Sequence, residues 1–180
     1  MAFIPLPDAA TAPPGTREVL ARTEARWGYA PNIVRALALR PELLAAEDRW
    51  SRALMYSGTL PRVLKEAVAT TVSAVNRCEY CAASHAYAAG LAGAAEGVGQ
   101  ACRALRFDGF APRERAALEF ARKAAADMRS ITRADIETLR AHYTPEEVVE
   151  LAAVVGSFMM YNTFVTVLGL ELEAPLLKEP

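Results

Sequence analysis

The 180-residue chain is poor in the residues that build disulfide scaffolds and metal centres: it has three cysteines and two histidines. Three thiols make no disulfide framework, and a chain of this length buries a core without one. It also lacks a basic excess. Lys+Arg 20 stand against Asp+Glu 21 for a net charge of −1, without the electrostatic footprint of a nucleic-acid binder. No run of five like charges marks a tail or a polybasic anchor. Met1 to Pro14 has no basic region followed by an apolar stretch, so it does not read as a secretory leader. Hairpin signals between alternating apolar runs are missing too. One long apolar run remains, Leu151 to Leu170, which is uncharged and long enough to span a bilayer. Gly156, Ser157, Asn162, Thr163, Thr166 and Gly169 interrupt it, and the flanks are acidic Glu150 and Glu171, where topology rules favour Lys or Arg. It reads as a helix buried in a core or a subunit interface, with no membrane partner, in a cytoplasmic protein whose thiols stay reduced.

Alanine makes up about a fifth of the residues, and strong helix formers fill nearly every segment. The fold class expected is all-α: a single-domain helical bundle, with two similar helical halves as a candidate arrangement. Residues 1–15, with Pro5, Pro7, Pro13 and Pro14, form an extended arm; 16–172 form the helical domain; 173–180 form a loosely held tail. Helices are expected from Thr16 to Trp27 (closed by Gly28), Pro31 to Arg40, Pro41 to Tyr56 (ended by Gly58) and Pro61 to Val75. After a break at Asn76-Arg77, further helices are expected from Glu79 to Ala89 (stopped by Gly90), Gln100 to Phe107 and Pro112 to Met128. Thr132-x-x-Asp135 resembles a capping box for a helix to His142. Thr144-Pro145-Glu146-Glu147 is a stronger start for a long helix to about Leu170. Pro61 to Glu66 and Pro145 to Glu150 echo one another, which is the basis for considering two halves.

The chemistry lies in Asn76-Arg77-Cys78-Glu79-Tyr80-Cys81-Ala82-Ala83-Ser84-His85. Cys78 and Cys81 are three apart, which on a helix puts both sulfurs on one side, within reach of a disulfide. His85 is four residues beyond Cys81, on the same face, where an imidazole can take the thiol proton. A helix N-terminus favours the same thiolate. If the helix carrying Glu66 turns at Asn76-Arg77 and the next returns antiparallel, Glu66 lies roughly 15 Å before the turn and His85 roughly 13 Å after it. The two are then level, in the order Glu66, His85, Cys81, with Cys78 as resolving thiol. This is a peroxidatic arrangement: Cys81 becomes a sulfenic acid, Cys78 condenses with it, and an external dithiol reduces the bridge. Competing readings are a pair of inert buried thiols and a zinc site on Cys78, Cys81, His85 and Glu66. Structural zinc draws its ligands from two pairs, and Cys102 and His142 make no second pair, so no metal and no cofactor are expected. Covalent haem is excluded because Ala82, not His, follows Cys81. Cys102 reads as core and His142 as a surface residue near a helix end. Trp50, Met55, Tyr56, Phe158, Met159 and Tyr161 read as core or interface, or as the lining of a pocket beside the thiols.

Glu66, Cys78, Cys81 and His85 together match the E-x11-C-x-x-C-x3-H pattern of the carboxymuconolactone decarboxylase / alkylhydroperoxidase D-like superfamily, which the chain resembles from about Ala30 to Leu172. Pro31 to Leu37 with Arg40-Pro41-Glu42-Leu43, Arg113-Glu114-Arg115 with Phe120-Ala121, and Thr132 to Leu139 resemble its peroxidase-related branch. The resemblance implies an all-helical homo-oligomer (dimer, trimer or hexamer). It implies reduction of a peroxide substrate in antioxidant defence, with electrons from a dithiol or lipoyl-type protein. Carried over, Cys81 is the peroxidatic thiol, Cys78 resolves it, and Glu66 and His85 relay the proton. One departure stands out. The alkylhydroperoxidase D type has His immediately before the second Cys, where this chain has Tyr80. A phenol titrates near ~10 against ~6.5 for imidazole, so the relay is shorter and turnover slower. Decarboxylase branches generally lack the C-x-x-C pair, which speaks against decarboxylation. A non-enzymatic thiol redox sensor or scaffold is the alternative.

Overall fold

The structure, a computed structural model, describes residues 2–8, 10–174 and 176. Among them are nine α-helices, two short 3-10 turns and no strand. The helices are α1 (Arg17–Trp27), α2 (Asn32–Leu37), α3 (Pro41–Tyr56), α4 (Arg62–Val75), α5 (Glu79–Leu91), α6 (Val98–Arg103), α7 (Pro112–Ala126), α8 (Arg133–Arg140) and α9 (Pro145–Val167). The expected all-α class holds. Helix α4 is the axis of the molecule, packed against α5, α6, α7 and α9. Every residue from Leu64 to Ser73 is buried. Its polar members survive there because Thr70, Thr71 and Ser73 donate their hydroxyls to the carbonyls of Glu66, Ala67 and Ala69, at 2.8, 2.9 and 2.8 Å. Val68, Val72, Leu118, Leu151 and Val154 are fully buried around it, and each such side chain contributes about 1.5–3 kcal/mol by leaving water. Leu20, Ala38 and Leu44 close a smaller cluster between α1 and α3.

The start signals act as read. Thr144 Oγ1 accepts from the Glu147 N–H at 3.3 Å, and Glu147 Oε2 accepts from the Thr144 N–H at 2.9 Å. Asp135 accepts from the Thr132 N–H at 2.7 Å. Gly28 ends α1 in the left-handed conformation, φ 78°, with its N–H on the Glu24 carbonyl. Several ends differ from expectation. Helix α5 runs through Gly90 to Leu91, because the left-handed residue is Gly93 (φ 92°) and Ala94 N–H closes onto the Ala89 carbonyl. Helix α6 covers Val98–Arg103 rather than Gln100 to Phe107: Leu105 turns left-handed (φ 54°) and Phe107 folds into the core. Helix α7 stops at Ala126, where Asp127 extends and caps a 3-10 turn, Met128–Ser130, through the Arg129 N–H at 2.9 Å.

Helix α9 is long and apolar enough to cross a membrane by length and composition. Here it packs against α3, α4, α5, α7 and α8, burying Leu151, Val154, Val155, Phe158 and Val165. It ends at Val167, short of Leu170, followed by Gly169 at φ 59°. The N-terminal arm is tied back over this end. Phe3 N–H donates to the Leu168 carbonyl at 2.9 Å, and Arg35 holds the Leu6 and Pro7 carbonyls at 3.0 and 2.9 Å. Of the expected loose tail, Glu173 and Leu176 are buried; Pro175 and residues 177–180 lie outside the described residues.

Candidate active site

The thiols sit where α4 hands over to α5. Arg77 takes a left-handed conformation (φ 56°), and the Cys78 N–H returns to the Ser73 carbonyl at 2.9 Å. Cys78 is thereby the residue that caps α5, and Cys81 lies in its first turn. Both are buried and unbridged. The return of α5 along α4 makes Glu66 and His85 level, and the carboxylate Oε2 lies 2.7 Å from His85 Nδ1. Glu66 Oε1 accepts from Arg62 Nε at 3.1 Å. Glu66 is 2% exposed, whereas the His85 side chain is 25% exposed. The edge of the Phe158 ring meets the imidazole at 4.4 Å and 82°, so packing and the carboxylate together set the ring's orientation.

A cavity of about 170 Å³ opens on this group. Glu66, Tyr80, Cys81, Ser84 and His85 line it, together with apolar side chains that include Ile33, Val34, Leu54 and Met55. Cys78 is not in the lining. Of the aromatic and methionine candidates, Met55, Tyr56, Phe158 and Tyr161 line the cavity. Trp50 and Met159 do not; Trp50 instead donates to Ser157 Oγ at 2.8 Å. Cys102 is buried core, its thiol pushed up to about 11 chiefly by burial. His142 is exposed beyond the end of α8. No three His, Cys, Asp or Glu side chains among the described residues are arranged to hold a metal.

The two sulfurs differ sharply. The Cys78 thiol is lowered to about 6, first by the hydrogen bond from Cys81, against the effect of burial, and then by the Cys81 backbone N–H and the Thr166 and Asn162 side chains. Cys81 is pushed up, first because its proton is held on Cys78, then by burial and by the negative charges of Cys78 and Glu173. The pair therefore ionises as a unit, with the charge on Cys78 and the remaining proton on Cys81. His85 forms no hydrogen bond to either sulfur among the described residues; it lines the same cavity as Cys81, one helical turn further along α5, with its Nδ1 committed to Glu66. The Glu66–His85 link is thus a direct contact, whereas His85 and Cys81 share only the lining of the cavity.

Three contributors escape a reading of the motif alone. Asn162 donates to Ser73 Oγ at 3.0 Å, accepts from Asn76 Nδ2 at 2.9 Å and favours the thiolate on both sulfurs. Thr166 does the same for Cys78. Their sequence signal is their polarity within the apolar run of α9. Glu173, assigned to the tail, accepts from Tyr80 Oη at 2.6 Å and from the Asn32 N–H at 2.5 Å. Tyr80 is thus engaged in a buried hydrogen bond where the alkylhydroperoxidase D type has its extra histidine.

The chain is thus an all-helical bundle in which Cys81 and a carboxylate–imidazole pair line one cavity, with Cys78 paired to Cys81 outside it. The profile of the carboxymuconolactone decarboxylase family matches residues 41–123, which supports the resemblance to the carboxymuconolactone decarboxylase / alkylhydroperoxidase D-like superfamily read from the sequence. A peroxidase-related protein of Ralstonia eutropha JMP134, described as an alkylhydroperoxidase AhpD core, superposes with a TM-score of 0.90 at 27% identity, covering 97% of this chain and 94% of that one. A peroxidase-related protein of Silicibacter sp. TM1040 does so at 0.91 and 26%, covering 99% and 95%. The debrominase Bmp8 shares the fold, with a TM-score of 0.84 at 22% identity over 97% of this chain and 93% of that one. Among curated proteins none matches the chain.

Proposed function

We propose that the chain is a thiol-dependent hydroperoxide reductase serving antioxidant defence in the cytoplasm. The observation that carries this reading is that Cys81, His85 and Glu66 face one cavity while Cys78 pairs with Cys81 behind it. Movement of the shared proton from Cys81 to Cys78 leaves a thiolate facing the cavity without any further proton loss. That thiolate attacks the O–O bond; an S–O bond forms, the O–O bond breaks, and the departing alkoxide takes a proton through His85, which Glu66 orients. Cys78 then attacks the Cys81 sulfenic acid, releasing water and closing the disulfide. A dithiol, of the lipoyl-protein kind, reduces the bridge by exchange and is itself oxidised. A cavity of about 170 Å³ is close to the roughly 150 Å³ that accommodates a benzene molecule. An organic hydroperoxide therefore fills it, whereas hydrogen peroxide leaves most of it empty. The reading includes a homo-oligomer, a dimer, trimer or hexamer, for which the exposed Val149, Met160 and Val167 on α9 offer apolar surface.

Peroxide consumption in the presence of a dithiol tests this reading: many turnovers are expected from the native chain and none from Cys81→Ser. The protonated state of Cys81 favours a second reading, a redox sensor that oxidises once. Stopped-flow mixing with peroxide separates the two, since a sensor reacts once per chain however much dithiol is supplied.

A further inference from the structure

Against Tyr80 lies a second buried carboxylate, Glu173, that the thiol motif does not include. Glu173 is 9% exposed. Its Oε1 receives both the Tyr80 phenol and the Asn32 N–H, while its Oε2 is buried with no hydrogen-bond partner among the described residues. Tyr80 precedes Cys81 in the chain and lines the same cavity; its oxygen also accepts from the Ile33 N–H at 3.3 Å. A buried carboxylate oxygen left without a donor is costly, and it retains its field on neighbouring groups because water does not screen it.

We propose that Glu173 is a positioning residue of the thiol site, held by the Tyr80 phenol so that its charge keeps the cavity-facing sulfur protonated in the reduced state. Cys81 is faced from its own helix by Cys78, Tyr80 and His85, and from α4 by Glu66, which is backed by Arg62. Helix α9 supplies the uncharged Asn162, and the α1–α2 loop supplies Tyr29, whose phenol is pushed up to about 12 by burial and by Glu173. Glu173 is the negative group of this set whose second oxygen accepts no hydrogen bond among the described residues. Burial and the same carboxylate push the Tyr80 phenol up, so it remains a donor. The charge of the pair is kept on Cys78, outside the cavity, and chance oxidants meet a thiol. This role rests on the proposed thiol chemistry and assigns Tyr80, in place of a relay histidine, the task of holding a carboxylate.

The test is pulse alkylation of the reduced, full-length chain with iodoacetamide across a pH series, with Cys81 quantified by peptide mass spectrometry. Glu173→Gln keeps the shape and an acceptor for Tyr80 but removes the charge. It is expected to move Cys81 alkylation to lower pH by about one unit, about tenfold faster below the native midpoint. Tyr80→Phe removes a donor from the carboxylate, strengthens its field, and is expected to move Cys81 the opposite way. Superimposable curves for Glu173→Gln and the native chain overturn the proposal. So does faster alkylation in both variants at every pH, the mark of a loosened fold. Alkylation needs no peroxide, so the opposite shifts in a chain that turns over no peroxide sink the reductase reading alone, and turnover without them sinks this role alone.

Discussion

Lys65 and Glu66 are consecutive residues, both charged, both in α4 and both almost wholly buried, yet they face different worlds. Lys65 points to a closed pocket of acceptors. Its Nζ pairs with Glu150 and donates to the carbonyls of Leu54, at 2.8 Å, and Ser57. Glu150 in turn accepts from the Thr59 and Leu60 N–H groups at 3.1 and 3.3 Å. A Cβ at Gly58 would collide with its carboxylate, and Gly58 itself is left-handed at φ 88°. Glu66 points to a partner that is a quarter exposed on a cavity, beside a thiol. Burial of charge is common to both pairs; only one adjoins space that a substrate can enter. Lys65–Glu150 fastens the α3–α4 loop to α9, and Glu66–His85 is poised to move a proton.

The comparison predicts opposite failures. His85→Ala is expected to lower peroxide turnover by about 10²–10⁴-fold, the range of a lost proton-transfer group, with a smaller loss of stability than the Lys65 variant because Glu66 keeps its Arg62 partner. Lys65→Met is expected to do the reverse: a loss of about 1–3 kcal/mol in unfolding free energy, because the Leu54 carbonyl loses its buried donor and Glu150 its cation, with turnover per folded chain retained. Adding Glu150→Leu is expected to recover most of that loss; a double variant no more stable than the single one breaks the assignment of this pair as a structural fastener. Between these extremes lies the charge on Cys78. Its alkylation is expected to begin near pH 6, and Asn162→Ala, removing a donor, is expected to raise that midpoint. With the folded value below the usual thiol range, the stability gained from this thiolate is present at high pH and lost as the pH falls through about 6. The smallest effect belongs to Thr144→Ala, a cap remote from both pairs, at about 1 kcal/mol of stability with the activity unchanged.

The sequence made the local rules visible. Pro41 and the Thr144–Glu147 box start α3 and α9 at the residues expected, because capping depends on a few neighbouring residues. The level of Glu66 with His85 followed from rise per residue and one turn, and the 2.7 Å contact agrees with it. The Pro-then-Glu echo was a poorer guide: Glu66 serves the cavity and Glu150 the Lys65 fastener. Pro61 stands before its helix, whereas Pro145 stands in the first turn of its own. What determines the two thiols was not legible. Asn162, Thr166 and Glu173 reach them from about ninety residues downstream, and no periodicity or spacing encodes which face of α9 or which turn of the C-terminal segment meets α5. Leu105 likewise ends α6 by a backbone conformation that its side chain does not advertise.

The central claim is that the sulfur in the cavity, Cys81, is the one that peroxide oxidises. Intact mass and peptide mapping after one equivalent of an organic hydroperoxide test it in the native chain, Cys78→Ser and Cys81→Ser. The account predicts loss of two hydrogens in the native chain, reversed by dithiol, one added oxygen on Cys81 in Cys78→Ser, and no change in Cys81→Ser. An added oxygen on Cys78 in Cys81→Ser, with Cys78→Ser inert, would contradict it.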